Sequence, residues 1–102
     1  MKTYTVKISP SAKSDVGAAF DWYKERSAKA ATSFRAEVLA VFDRLTSDPD
    51  QWARQDETVR RFVMKQFPYT VYCEVVGQVV WILAVGHHSK KPNYWGGGHS
   101  AQ

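Results

Sequence analysis

Residues 59–95 read VRRFVMKQFPYTVYCEVVGQVVWILAVGHHSKKPNYW, and this stretch decides how the 102-residue chain folds. Phe67-Pro68-Tyr69 marks a tight corner between two strands, because proline cannot donate to a strand ladder. From Tyr69 to Val75 the side chains alternate in polarity, as in a β-strand. Gly77-Gln78 supplies a two-residue hairpin connection, with glycine where a type II′ turn needs positive φ. The run Val79 to Val85 is apolar throughout, which predicts a central strand covered on both faces.

Upstream of this stretch, the chain shows one strand pattern and two helical patterns. Apolar residues alternate with polar ones from Tyr4 to Ile8, and Ser9-Pro10 follows as a helix cap and a proline suited to a first turn. No glycine or proline separates the two helical patterns, so a break near Ser27 and one continuous helix both stay open. The apolar residues spaced by three and four are Val16, Ala19, Phe20 and Tyr23, then Phe34, Val38, Val41, Phe42 and Leu45.

The predicted order of elements is therefore β-α-α-β-β-β. Two successive amphipathic helices would pack on one face of an antiparallel sheet and give a two-layer α+β domain. We expect this domain to span residues 1–95, with a surface loop at residues 50–58 and a flexible tail at residues 96–102. The face of the sheet without helices would keep apolar side chains in solvent, so we expect a partner to cover it.

Charge is distributed unevenly along the chain. From Val59 onward there are five basic residues and one acid, which accounts for the whole net charge of +4. A basic sheet surface beside an end rich in histidine and aromatic residues indicates an acidic partner, either nucleic acid or protein. The residues predicted to bind a partner or target are Arg60, Arg61, Lys65, Trp81, His87, Lys90, Lys91, Tyr94 and Trp95.

Two adjacent arginines open the strand at Val59. Neighbours on a strand point to opposite faces, so Arg60 and Arg61 cannot share one surface. One of them should turn toward the helices, where Glu37 or Asp43 would neutralise it. The other is either solvated or holds the phosphates or carboxylates of a partner.

One interpretation of the histidine-rich end is a proton-transfer site for catalysis. His87 or Tyr94 would exchange protons, and Arg61 and Lys65 would hold phosphate, in an RNA cleavage that begins with attack by the 2′-hydroxyl. The other interpretation is structural, with the histidine hydrogen-bonded locally at the end of its strand. A serine-type triad is not supported, because no acid follows Glu74 to orient an imidazole.

Other classes of protein fit the composition poorly. The chain has no signal-peptide pattern and no run of the roughly 20 apolar residues that a membrane span needs, so we expect a cytoplasmic protein without membrane contact. Cys73, the single cysteine, alternates with Val71 and Val75, which favours a packed thiol over a reactive one. Zinc needs three or four ligands that the sequence does not supply, so we expect no metal and no cofactor.

Together these segments resemble the RelE/ParE toxins of bacterial type II toxin–antitoxin modules. The resemblance runs from Tyr4 to Trp95. The segments that carry it are Ile8-Ser9-Pro10 with Ala12, Trp22-Tyr23, Phe34, Leu45 to Pro49, Arg60-Arg61, Phe67-Pro68-Tyr69, Tyr72, Ala84-Val85-Gly86-His87 and Pro92-Asn93-Tyr94-Trp95. The resemblance implies the same β-α-α-β-β-β order and a cytoplasmic toxin in a hetero-oligomer with a small, acidic antitoxin. That antitoxin is usually encoded beside the toxin and lays an extended, partly helical segment over it.

Within the family, the chain is more similar to the ParE, or plasmid-stabilisation, branch, whose members act against DNA gyrase and carry no comparable cluster of nuclease residues. RNA-cleaving members carry a lysine-rich segment where this chain has only Arg54 between Asp48 and Arg60. The resemblance therefore implies a gyrase inhibitor that causes growth arrest. A ribosome-dependent mRNA endonuclease of the RelE type is the alternative. A non-toxic relative that only binds antitoxin is another, because Lys90-Lys91 stands where an arginine is usual.

Overall fold

A computed structural model of the chain describes residues 3–47, 52–54 and 57–88. The predicted tail at residues 96–102 and the candidates Lys90, Lys91, Tyr94 and Trp95 lie outside the described residues. In chain order the elements are β1 (Thr5–Ile8), α1 (Pro10–Arg26), α2 (Ala28–Leu45), β2 (Ala53–Arg54), β3 (Val59–Val63), β4 (Tyr69–Val76) and β5 (Val79–His87). The predicted α+β order is confirmed, and β2 is a short addition within the segment expected to form a loop.

Ser9 joins the first strand to the first helix. Its hydroxyl oxygen accepts a hydrogen bond from the backbone N–H of Ala12 at 3.1 Å, which caps α1, and Pro10 occupies the first turn. The same hydroxyl donates to the backbone carbonyl of Leu83 in β5 at 3.1 Å. One buried side chain therefore caps the helix and ties it to the sheet.

A single residue, Ser27, separates the two helices. Its backbone is extended, with φ −164° and ψ 113°, so the break requires no glycine. The Ser27 N–H donates to the carbonyl of Tyr23 at the end of α1, and the Ser27 hydroxyl accepts from Ala30 N–H at the start of α2. The sequence was compatible with one continuous helix or with two helices. The capping of both helices by Ser27 produces two.

Within the described residues, the sheet has five strands in the order β1-β5-β4-β3-β2. The pairs β2–β3, β3–β4 and β4–β5 are antiparallel, whereas β1 runs parallel to β5. A parallel pair needs a long crossover connection, and here the two helices and three further strands lie between the partners in the chain. The sheet is therefore mostly antiparallel, as predicted, with β1 as the parallel exception.

The hairpin between β4 and β5 forms as predicted, and β5 also contains a bulge. Gly77 adopts φ 61°, the positive value that the two-residue turn requires. Tyr72 pairs with Ala84 while the next residue, Cys73, pairs with Ile82, so Leu83 is an extra residue on β5. An extra residue shifts the alternation of faces by one for the rest of that strand.

The main core lies between the two helices and the sheet. Phe34 of α2 is fully buried, and its ring centroid lies 5.3 Å from those of Phe67 and Tyr69. Tyr23 of α1 packs on Phe67 at 5.1 Å. The predicted corner at Phe67-Pro68-Tyr69 is thus confirmed, with both aromatic rings anchored against the helices.

The apolar strand β5 is less open than the sequence suggests. Residues 82–86 are all buried within the chain itself, on both faces of the sheet. Val79 and Trp81, nearer the hairpin, are only half-buried. The sequence led us to expect exposed apolar side chains on the face without helices along the whole of Val79 to Val85. For the part of the strand after Trp81 this expectation is wrong, because the chain itself buries Leu83 and Ala84.

Candidate functional site

The face of the sheet opposite α1 and α2, hereafter the helix-free face, gathers cationic and apolar side chains. Paired residues on adjacent strands share a face, so the strand register identifies its members. They include Lys7, Arg61, Val63, Tyr72, Glu74, Val76, Trp81 and Ala84. Ala53 of β2 pairs with Arg61, so all five strands of the described sheet contribute to this face.

This helix-free face is amphipathic. Val63 and Val76 are 52% and 56% exposed, and Trp81 is half-buried. The Lys7 ammonium lies 5.7 Å from the centre of the Trp81 ring, in a cation–π arrangement. Glu74 is buried, so the accessible charge beside the apolar side chains comes mainly from cations. Such a surface suits an acidic, amphipathic segment of a partner.

The predicted basic residues are divided between the two faces of the sheet. Arg61 lies on the helix-free face and donates from Nη1 to the carbonyl of Arg54 at 2.7 Å. Arg60 pairs with the core residue Cys73, on the helix side, and donates to the carbonyl of Trp52 at 2.9 Å. The two arginines point to opposite faces, as predicted.

Lys65 and Glu37 meet where β3 ends. The Glu37 Oε2 atom accepts a hydrogen bond from the backbone N–H of Lys65 at 2.9 Å. Glu37, proposed from the sequence as a partner for an arginine, instead anchors the chain as it enters the corner. Lys65 and Glu37 border a cavity beside α2 that His87 does not line.

His87 lies on the helix side of the sheet. It pairs with Tyr69, and the two rings meet edge to face with centroids 5.1 Å apart. The bulge at Leu83 causes this placement: without it, alternation from Trp81 would put residue 87 on the helix-free face. The structure therefore does not bring His87 together with Arg61, and their side chains leave the sheet in opposite directions.

His87 instead borders an aromatic cleft of about 550 Å³ between α1 and the ends of β4 and β5. The residues that give this cleft its chemistry are Asp15, Trp22, Tyr23, Pro68, Tyr69 and His87. The sequence alone did not identify this cleft as a site. The available signal was the spacing on α1, where Asp15 and Trp22 lie seven residues apart on one helical face, with the small residues Ala18 and Ala19 between them.

The polar groups of the aromatic cleft are held in place by the backbone and by neighbouring rings. The Asp15 Oδ2 atom accepts a hydrogen bond from the Val85 N–H at 3.0 Å, which links α1 to β5. Burial raises the pKa of Tyr69 above its ordinary value, and the nearby Tyr23 and Asp15 raise it further. Burial also raises the pKa of Tyr23. Both phenols therefore stay protonated, and available as donors, around neutral pH.

Cys73 is packed as predicted, and its titration should affect stability. Burial raises the pKa of its thiol from 9.0 to about 12, opposed only partly by Arg60. Between those values the unfolded chain loses the proton and the folded chain keeps it, so stability falls as pH rises. We expect the Cys73 contribution to the free energy of unfolding to fall by about 1 kcal/mol between pH 9 and 10.

Urea denaturation of the wild type and of Cys73→Ala across this pH range isolates that contribution. Tyr23 and Tyr69 titrate in both proteins, so their effects cancel in the difference. Parallel pH dependence of the two proteins would contradict the raised pKa of the thiol.

Two kinds of site can be assessed within the described residues. Residues 3–47, 52–54 and 57–88 contain no group of three histidine, cysteine or acidic side chains placed to hold a metal ion. In the same part of the chain, neither helix is long and apolar enough to span a membrane.

Comparisons with known proteins agree with this architecture. A family model described as the ParE toxin of the type II toxin–antitoxin system parDE matches residues 6–92. A solved structure, the chromosomal ParDE toxin–antitoxin system from P. aeruginosa, is similar with a TM-score of 0.73 at 19% identity, covering 83% of this chain and 96% of that chain. That structure supports the fold of two helices on a mostly antiparallel sheet. No curated protein matches the chain. Since the family model covers most of its length, the chain belongs to the ParE toxin family of type II toxin–antitoxin systems.

Proposed function

We propose that this chain is a cytoplasmic toxin that acts by binding DNA gyrase and is neutralised by a small, acidic antitoxin encoded beside it. The observation that carries the choice of binding over RNA cleavage is the separation of Arg61 from His87 on opposite faces of the sheet. Membership of the ParE family supports the toxin–antitoxin context.

RNA cleavage needs a proton-transfer group and a cation within hydrogen-bond reach of the same phosphate. Arg61 on the helix-free face and His87 in the aromatic cleft cannot contact one phosphate together, because the sheet lies between them. Lys65 borders a different cavity, beside α2. The described residues thus disperse three members of the predicted nuclease set, which favours a toxin that works by binding.

The helix-free face is the surface that we assign to the antitoxin. The exposed side chains of Val63 and Val76, with Trp81, offer apolar anchors, and Lys7 and Arg61 border them with positive charge. Apolar anchors usually supply most of the affinity of such a complex, whereas complementary charge mainly speeds association. An acidic segment with an apolar side would satisfy both features.

Expression of the chain without antitoxin tests the target. We expect DNA synthesis to stop before protein synthesis, and purified chain to inhibit supercoiling by purified gyrase. The double variant His87→Ala/Tyr94→Phe removes the proposed proton-transfer groups and should keep both effects. Early arrest of translation with cut mRNA, no effect on gyrase, and loss of toxicity in the double variant would instead identify a nuclease.

A further inference from the structure

The lining of the aromatic cleft combines aromatic rings with one acid. Three aromatic side chains line it, Trp22, Tyr23 and Tyr69, together with the carboxylate of Asp15 and the imidazole of His87. No lysine or arginine is among its described lining residues. An acid set among aromatic rings attracts cations, because the ring faces and the carboxylate both carry negative potential.

Trp22 lies at the edge of the aromatic cleft and is accessible to a partner. Its side chain is half exposed, and its ring meets Tyr23 edge to face at 5.0 Å. The Arg26 guanidinium stacks 3.8 Å from the centre of the Trp22 ring, while Arg26 Nη1 donates to the Trp22 carbonyl at 2.9 Å. An ordered, exposed tryptophan loses little entropy on binding, and tryptophan is enriched among residues that dominate interfaces.

Asp15 supplies the charge from a defined position. Its hydrogen bond from the Val85 N–H fixes one carboxylate oxygen at the inner wall of the cleft. A planar guanidinium both stacks on aromatic rings and pairs with carboxylates, whereas an ammonium is more strongly hydrated and lacks a planar face. The combination of Trp22, Tyr69 and Asp15 therefore matches arginine better than lysine.

We propose that the aromatic cleft binds the guanidinium group of an arginine side chain that the antitoxin presents. The identification of the partner as the antitoxin rests on the proposed function, whereas the specificity of the cleft for arginine does not. The cleft lies on the helix side of the sheet, so this contact is separate from the helix-free face. A partner that reaches both surfaces would wrap around the sheet.

The probe is N-acetyl-L-arginine methylamide, titrated into the full chain and followed by the NMR signals of the Trp22 indole N–H and the His87 ring. We expect saturable shifts with a millimolar dissociation constant. The citrulline analogue, which has the same shape without the charge, should bind about tenfold more weakly. Equal binding of the two analogues would overturn the proposal, and tighter binding of adenosine monophosphate at the same residues would reassign the cleft to nucleotides.

Two matched variants locate the charge. Asp15→Asn keeps an oxygen for the Val85 N–H and should weaken arginine binding about tenfold. Asp21→Asn removes an acid from the same helix outside the cleft, and it should leave binding unchanged. Similar losses in both variants would overturn the site. If Asp15→Asn reduces probe binding and leaves antitoxin affinity unchanged, the cleft binds arginine but the antitoxin assignment is wrong. Neither titration of the probe depends on gyrase or toxicity.

Discussion

Phe34→Ala should lower the free energy of unfolding by about 3–5 kcal/mol, the range measured for the loss of a buried phenyl ring. Phe34 has no exposed surface and contacts the rings of Tyr23, Phe67 and Tyr69. These rings come from α1, the corner and β4, so the cavity would separate three elements at once. Domains of this size are stable by only about 5–15 kcal/mol, so the variant should be close to unfolded at 37 °C.

Leu39→Ala is the matched control, because Leu39 lies on the same helix but is 49% exposed. We expect it to change stability by less than about 1 kcal/mol, since half of its side chain is already in water. Chemical denaturation of both variants gives the comparison. Similar losses in the two proteins would contradict the placement of the core beneath Phe34.

Ser9→Ala should cost about 2–3 kcal/mol, which is more than the removal of an ordinary helix cap. The Ser9 hydroxyl is buried, accepts from Ala12 N–H and donates to the carbonyl of Leu83. Alanine would leave the helix N-terminus uncapped and remove the donor to that carbonyl at the β5 bulge. A buried polar group without its partner adds its desolvation cost to the lost cap.

Ser27→Ala tests the cap alone. Ser27 is exposed, and its hydroxyl accepts from the Ala30 N–H, also at 3.1 Å. We expect a loss of about 1 kcal/mol, since water can replace the hydrogen bond. Thermal or urea unfolding of the two variants measures the difference. Equal effects would mean that the contact between Ser9 and β5 contributes little.

Much of the fold follows from features that act over a few residues. The cap at Ser9, the positive φ of Gly77 and the corner at Phe67-Pro68-Tyr69 each depend on the chemistry of adjacent residues, so the sequence predicts them. The helical stripe that contains Phe34 likewise predicts which face of α2 is buried. The same local rules could not decide between one helix and two, because the extended backbone of Ser27 is open to any residue.

The candidate site was less predictable, because it depends on which strands pair and in what register. The sequence identified Trp81 and Arg61 as surface candidates, and the register places both on the helix-free face. It did not identify the aromatic cleft, since Asp15 and His87 are 72 positions apart in the chain and line one cleft only when α1 packs beside β5.

By itself, the sequence determined the identity and order of the main elements, the family resemblance and the excess of positive charge in the last third. Only the tertiary structure decided that β1 runs parallel to β5, and that one extra residue at Leu83 turns His87 to the helix side. The physical reason is that side-chain alternation has a period of two residues, so a single bulge reverses every later position on the strand. No glycine marks the position of that bulge in the sequence. The bulge forms where β5 pairs with β4, and there the carbonyl of Leu83 accepts a hydrogen bond from the Ser9 hydroxyl.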